Sequence, residues 1–253
     1  MTSRLVTEEK NILNDNFRLV FEKNGQEVIP LESFLNHQFL HQYLLDLKDR
    51  LGAESLLAAS SQFVKRLGFI ITIPFLYSMS MFNKQLDVSF KNYYLVPRDV
   101  DNIWLPQLFL SDSITKELMG LDRDEARQKH FIQIVENVKQ LLDAVSCVGK
   151  VPKPILWENV AIYIYWLYEK RLETDVENEK THIQDDFQYL LQKIPANIFG
   201  EAVNPFLKFY GNECETNASN AEIRIRKTCC FYYEANEEKS FCSTCPKAIR
   251  NCK

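Results

Sequence analysis

The clearest pattern in the chain is a run of apolar residues three and four apart. Phe131, Ile134, Val135, Val138, Leu141, Leu142 and Val145 repeat with the period of a helix that buries one face, so a helix is expected over 122–146. "ILWENVAIYIYWLYEKRL" predicts another over 154–173, and "HIQDDFQYLLQKI" a third. Pro195 then opens a helical segment ending near Tyr210. Upstream, "ESLLAASSQFVKRLGFIITIPFLYSMSMF" predicts a long helix from about Ala53, with small residues at 58–61 suited to close packing. Before it, Glu32 or Ser33 starts a helix carrying Phe34, Leu40, Tyr43, Leu44 and Leu47. A short polar helix is expected at the start of the chain.

Alternation of period two marks the strands. "NFRLVFEKNGQEVIPL" predicts a hairpin about Asn24-Gly25, a favoured two-residue turn. "LDVSFKNYYLVPRDVDNIWLPQLFL", broken by Pro97 and Pro106, predicts two or three strands. "DSITKELMG" predicts a short helix, with Asp112 or Ser113 as N-cap and Gly120 just past its end. "ETDVENEKT" and "GNECETNASN" are polar connections. The expected fold class is α+β: a mostly helical body with a small antiparallel sheet in the first half and a cysteine-rich C-terminal tail. The division expected is a body over 1–211 and a cysteine-bearing segment over 212–253.

Length and composition narrow the function classes. A chain of 253 residues, 46% hydrophobic, can bury a substantial core. Its net charge of −4 gives no basic footprint for nucleic acid. The longest apolar run, Leu67 to Phe82, is interrupted by Pro74 and two serines. It falls short of the roughly 20 residues a spanning helix needs, so a buried helix, not a membrane span, is expected. "MTSRLVTEEK" has no apolar signal core. The expectation is a cytoplasmic protein. That compartment is reducing and favours metal or redox chemistry over disulfides.

"CCFYYEANEEKSFCSTC" is where such chemistry concentrates. Cys229, Cys230, Cys242 and Cys245 form C-C-x11-C-x2-C. Four thiolates are what a 2Fe–2S cluster needs. A C-x2-C turn brings two sulfurs to one metal, and a bent backbone at the Cys-Cys pair would aim the other two. A four-cysteine zinc site is the alternative, although such sites favour two C-x2-4-C pairs. Disulfides are a third.

"RIRKTCCFYY … FCSTCP" resembles the C-terminal signature of the FhuF-type ferric siderophore reductases. That signature has a basic residue or two before a Cys-Cys pair, a tyrosine soon after, and a C-x2-C followed by proline or a small residue. The family's usual gap is ten residues, and here it is eleven. "SSQFVKRLGFIITIPFLYSMSM" and "ILWENVA", with Trp157 and Asn159, resemble further family segments. The resemblance implies that Cys229, Cys230, Cys242 and Cys245 ligate a 2Fe–2S cluster. It also implies one-electron reduction of siderophore-bound Fe(III), with release of Fe(II) in the cytoplasm.

Charge adds a direction. Residues 221–253 hold seven Lys/Arg and four Glu, a net +3 on a chain of net −4. Such a tail suits an anionic siderophore of citrate or hydroxamate type, with Arg226 and Lys227 as candidate substrate-binding residues. No dinucleotide fingerprint or phosphate loop is present. Electrons are therefore expected from an external donor such as a ferredoxin or a flavin reductase. His37 and His41, four apart, are expected to be helix-surface histidines, and Cys147, Cys214 and Cys252 bystanders. A non-enzymatic zinc-stapled binding protein and a cluster-based redox or iron sensor are the competing readings.

Overall fold

The computed structural model describes residues 2–249 apart from 24, 102, 118–122, 173–179, 212–213, 216–221 and 237. The chain begins with β1 (Thr2–Arg4) and α1 (Thr7–Phe17), which buries Leu13 and Phe17. After β2 (Leu19–Val20) and β3 (Ile29–Pro30), a 3-10 turn over Leu31–Leu35 leads into α2 (His37–Arg50). The cap of α2 is Asn36 and not Ser33 or Glu32. Its side-chain oxygen accepts from the N–H groups of Gln38 and Phe39, both at 3.0 Å, and so satisfies two of the free donors of the first turn.

α3 (Leu56–Phe82) is the axis of the molecule. Ser55 caps it by accepting from the Ala58 N–H. Apolar residues surround it on all sides, and a helix of that kind must be enclosed. Among the described residues it is the one helix long and apolar enough to cross a membrane, and 78% of that apolar window is buried inside the protein. α2, α4 (Arg123–Gly149) and α5 (Lys153–Trp166) pack against it. The expected small-residue contact is present: a Cβ on Gly149 would come within 2.1 Å of Ser60 Oγ. α5 continues as a π-helical turn over Leu167–Arg171. The helix Lys180–Gln188 ends in a second one over Tyr189–Lys193. Asp186, fully buried, ties that helix to α3 and α4. It accepts from Ser80 Oγ at 2.8 Å and from Arg123 at 2.8 and 3.0 Å.

The first half of the chain carries the small sheets. β4 (Lys84–Leu86), β5 (Tyr93–Val96), β6 (Asp99–Val100), β7 (Ile103–Trp104), β8 (Gln107–Leu110) and β9 (Ile114–Glu117) follow α3. Leu86–Leu110 therefore holds more strands than the two or three expected, because Asp101, at φ +50°, folds β6 onto β7. The hairpin predicted about Asn24-Gly25 does not form. β2 pairs parallel with β8 and β3 antiparallel with β5, giving the order β2-β8-β5-β3. Gly25 keeps the positive φ of a turn, +73°, and Asn24 lies outside the described residues. The antiparallel β5–β8 pair is apolar except for Gln107 and takes one partner strand on each edge.

"DSITKELMG" is also corrected. Ile114–Glu117 is the central strand of a β1-β9-β4 sheet. Asp112 accepts from the Ile114 N–H at 3.1 Å, an Asx turn where a helix cap was expected. Gly120 lies outside the described residues. Two strands waiting on either side outweigh the helix propensity of five or six residues.

His130 sits fully buried on α4. Burial drives its pKa from 6.5 down to about 3, against a smaller upward pull from the Phe75 backbone. Between those values the unfolded chain binds a proton that the folded chain does not. Stability must therefore fall as pH drops through that window, by about 1.4 kcal/mol per unit. Between pH 7 and pH 5, chemical denaturation should show the wild type losing about 2 kcal/mol more than His130→Leu. Equal losses would mean that His130 gains its proton in the folded state.

Candidate metal centre

The C-terminal segment is fastened to the body by groups that have almost no water around them. Glu158 on α5 is 2% exposed. It lies in "ILWENVAIYIYW", an otherwise apolar stretch, where an ionised carboxylate needs donors. The segment supplies them from its own backbone. Glu158 accepts from the Lys227 N–H at 2.6 Å, from the Thr228 N–H at 2.8 Å and from the Thr228 hydroxyl. The Arg226 guanidinium stands 3.6 Å away and is 3% exposed.

Asn159, next on the helix, completes the joint. Its oxygen accepts from Arg226 at 2.6 Å, and its amide donates to the Ser61 carbonyl on α3 at 2.9 Å. The Ser61 hydroxyl and the Gln62 amide donate to the Cys230 carbonyl at 2.9 and 2.7 Å. The backbone on both sides of Cys229 is thus held by α5 and α3 before any sulfur is bound.

The loop between the cysteine pairs is folded on itself. Asn236 donates to the carbonyls of Tyr232 and Ser240 at 2.7 and 3.1 Å and accepts from the Ser240 N–H at 3.0 Å. Ala235 packs on Ala53, Ala58 and Ala59. Ser55 donates to Glu234 at 3.2 Å. In the second pair the Cys245 N–H donates to the Cys242 carbonyl at 3.0 Å, and Arg226 N–H reaches the Thr244 carbonyl at 3.0 Å. That last bond ties the two cysteine-bearing stretches together.

The backbone turns immediately after the adjacent cysteines. Phe231 takes a left-handed φ of +57° and points its N–H at Cys229 Sγ, 3.4 Å away. Cys230 and Cys245 are buried, while Cys229 and Cys242 are half-buried. The Cys230 and Cys242 sulfurs are 3.5 Å apart. Two sulfurs on one tetrahedral metal with bonds near 2.3 Å stand about 3.8 Å apart, so this hydrogen-bonded pair, one sulfur from each cysteine pair, sits slightly closer than a shared metal would hold it. Among the described residues no three Cys, His, Asp or Glu side chains are gathered closely enough to close on a single ion.

Positive charge converges on Cys230. Lys65 Nζ donates to its sulfur at 3.9 Å. The hydrogen bond with Cys242, then Lys65 and Arg226, bring the Cys230 thiol down to about 5, against burial. The Cys242 thiol moves the opposite way, because its proton is the one the pair shares and burial adds to the shift. Burial raises the Cys229 thiol, opposed by the Phe231 N–H and by Lys247. The donor set suits a thiolate-bound cofactor: soft sulfurs, flanking cations, N–H donors to sulfur and, among the described residues, no carboxylate competing with them.

The other sequence candidates lie elsewhere. Cys147 is exposed on α4 and shares an open surface groove with His37 and His41, both on α2. Cys252 is outside the described residues, and Cys214 pairs through its backbone with Ile223. Lys227 is exposed and donates to the Lys208 carbonyl at 2.6 Å. The sequence reading missed Ser61, Gln62, Lys65 and Glu158. Their signal was available as polar residues inside two of the most apolar helices.

The comparisons with known proteins fall on this segment. The family model described as FhuF 2Fe-2S C-terminal domain matches residues 226–247. The match begins at Arg226 and takes in Cys229, Cys230, Cys242 and Cys245. A second model, a protein of unknown function (DUF1655), matches residues 108–151, which span β8, β9 and α4. No curated protein matches the chain. The C-terminal segment is FhuF-like, and the match points to a 2Fe–2S cluster as its cofactor.

Proposed function

We propose that the protein is a cytoplasmic ferric siderophore reductase, with Cys229, Cys230, Cys242 and Cys245 as the ligands of a 2Fe–2S cluster. The observation that carries this reading is the FhuF 2Fe–2S match across all four cysteines. It gains support from the thiol pair held 3.5 Å apart on a prepared backbone. A binuclear centre asks two sulfurs of each metal, whereas a zinc site asks four of one. A cluster of this kind, when bound, passes one electron at a time, and the reaction needs one: Fe(III) in the chelate gains an electron and becomes Fe(II). Hard oxygen donors hold Fe(II) less tightly, so iron leaves. The electron comes from an external donor of ferredoxin or flavin-reductase class.

The chain's own groups have distinct tasks in this reading. Glu158 and Asn159 hold the backbone that presents Cys229 and Cys230. Lys65 and Arg226 set positive charge against the Cys230 sulfur and favour its thiolate. Of the two residues first considered for substrate binding, Lys227 reaches solvent and suits long-range steering of an anion. Arg226 faces inward and acts through its charge and hydrogen bonds.

Protein purified without oxygen should be brown and carry about two iron and two sulfide per chain. It should reduce a ferric siderophore when supplied with a low-potential donor. A colourless protein with one zinc per chain would exclude the reductase. Cys230→Ser and Cys242→Ser should lose the visible absorption and the iron, whereas Cys147→Ser should keep both. Glu158→Gln removes the charge that balances buried Arg226. It should cost about 3–5 kcal/mol of folding stability and speed the loss of iron on dilution.

A further inference from the structure

One cysteine from each pair meets the other across the site. Cys230 and Cys242, twelve positions apart in sequence, bring their sulfurs to 3.5 Å and share a hydrogen bond. A disulfide holds its sulfurs about 2.05 Å apart, so the two need to close by about 1.5 Å, which a side-chain rotation supplies. Other pairings are less well placed. Neighbouring Cα atoms stand about 3.8 Å apart, below the roughly 4.4 Å that a disulfide needs, which disfavours Cys229 with Cys230. The C-x2-C spacing suggests Cys242 with Cys245, but the Cys242 sulfur is engaged by Cys230. Cys229 Sγ accepts from the Phe231 N–H at 3.4 Å.

The fold holds this contact with no metal in place. Ser61 and Gln62 on α3 fix the Cys230 carbonyl at 2.9 and 2.7 Å. The Arg226 N–H fixes the Thr244 carbonyl, two residues past Cys242, at 3.0 Å. Asn236 closes the loop between them. The two sulfurs differ in access. Cys230 is 1% exposed and has the Lys65 ammonium 3.9 Å from its sulfur. Cys242 is half-buried and sits between two exposed residues, Phe241 and Ser243. A small oxidant therefore reaches Cys242 first. Cys230 stands behind it as the second thiol, beside a cation that favours the attacking thiolate.

We propose that Cys230 and Cys242 form a dithiol–disulfide switch, which closes when the site holds no metal and bars metal until it is reduced. With a low-molecular-weight disulfide as oxidant, the Cys242 thiolate attacks one of its sulfurs and expels a first thiolate. The Cys230 thiolate then attacks Cys242 Sγ and expels the second. The protein gives up two electrons and two protons, and the oxidant becomes two thiols. The new bond takes one sulfur from each cysteine pair, so no four-thiolate centre forms while it stands. The switch goes beyond the reductase reading and holds for a cluster and for zinc alike. In a reducing compartment such a disulfide is transient and reports oxidation.

The test uses full-length protein stripped of metal by a chelator under reductant, then moved without oxygen into oxidised glutathione. Mass spectrometry of the unreduced digest should find Cys230 joined to Cys242, with the loss of two hydrogens. Cys230→Ser should stop at a glutathione adduct on Cys242, the first step trapped. Cys245→Ser should still form the bond. The oxidised protein should take up iron with sulfide, or zinc, at least tenfold more slowly than the reduced protein, and dithiothreitol should restore the rate. A bond between Cys242 and Cys245, no bond at all, or equal uptake by the two forms would each overturn the switch. The wild-type digest needs no variant, so the test stands if a serine variant fails to fold. A one-zinc protein that forms the Cys230–Cys242 bond once stripped would keep the switch and reject the reductase. A brown protein that reduces ferric chelates but forms a different bond once stripped would do the reverse.

Discussion

A carboxylate with almost no access to water decides where the cysteines sit. Glu158 is placed on an apolar helix face, so its charge must be met by donors at close range. The backbone N–H groups of Lys227 and Thr228 meet it, and those are the residues immediately before the Cys-Cys pair. Arg226 then balances the charge and binds Asn159, which holds the Ser61 carbonyl. Removing any one of these leaves another buried group without a partner. The network is therefore cooperative, and it gives the segment a fixed address on two helices.

α3 makes that address rigid. One helix supplies the centre of the core, the Ser61 and Gln62 donors to the Cys230 carbonyl, and the Lys65 ammonium beside the Cys230 sulfur. Packing on all sides keeps it from moving relative to α5. Groups on α3 and α5 thus act on the cysteine segment as one body. The loop between the cysteine pairs needs only to close on itself, which Asn236 does. An eleventh residue in that loop costs little, because loop closure entropy grows slowly with length.

The parts that were legible in the sequence are those governed by local period or by rare residues. The α4 stripe from Phe131 to Val145 was enough to place its helix within a few residues. Four cysteines in seventeen positions were enough to mark the segment that the FhuF 2Fe-2S model matches. What failed was decided at long range. The segment about Asn24-Gly25 has the chemistry of a hairpin turn, but its two strands are claimed by opposite edges of the β5–β8 pair. "DSITKELMG" has a helix cap and stop, but its backbone completes a sheet between β1 and β4. Local signals worth a kilocalorie or less lose to a ladder of hydrogen bonds that only the folded chain can offer. The polar residues inside α3 and α5 were visible as exceptions to an apolar pattern, yet nothing local says which of them face the same point.

Charge follows the same division. The sequence places a positive tail on an acidic chain, which is correct as a sum and incomplete as a map. Lys65 and Arg66 come from the core helix and meet the tail's own Arg226 at Cys230. Their convergence is a product of topology. It puts several positive charges in a low-dielectric region next to one sulfur, where each acts more strongly than on the surface. The tail lysines are exposed and screened by salt within about 10 Å. They can steer an anion from a distance, but stabilising a thiolate falls to the cations the fold has withdrawn from water.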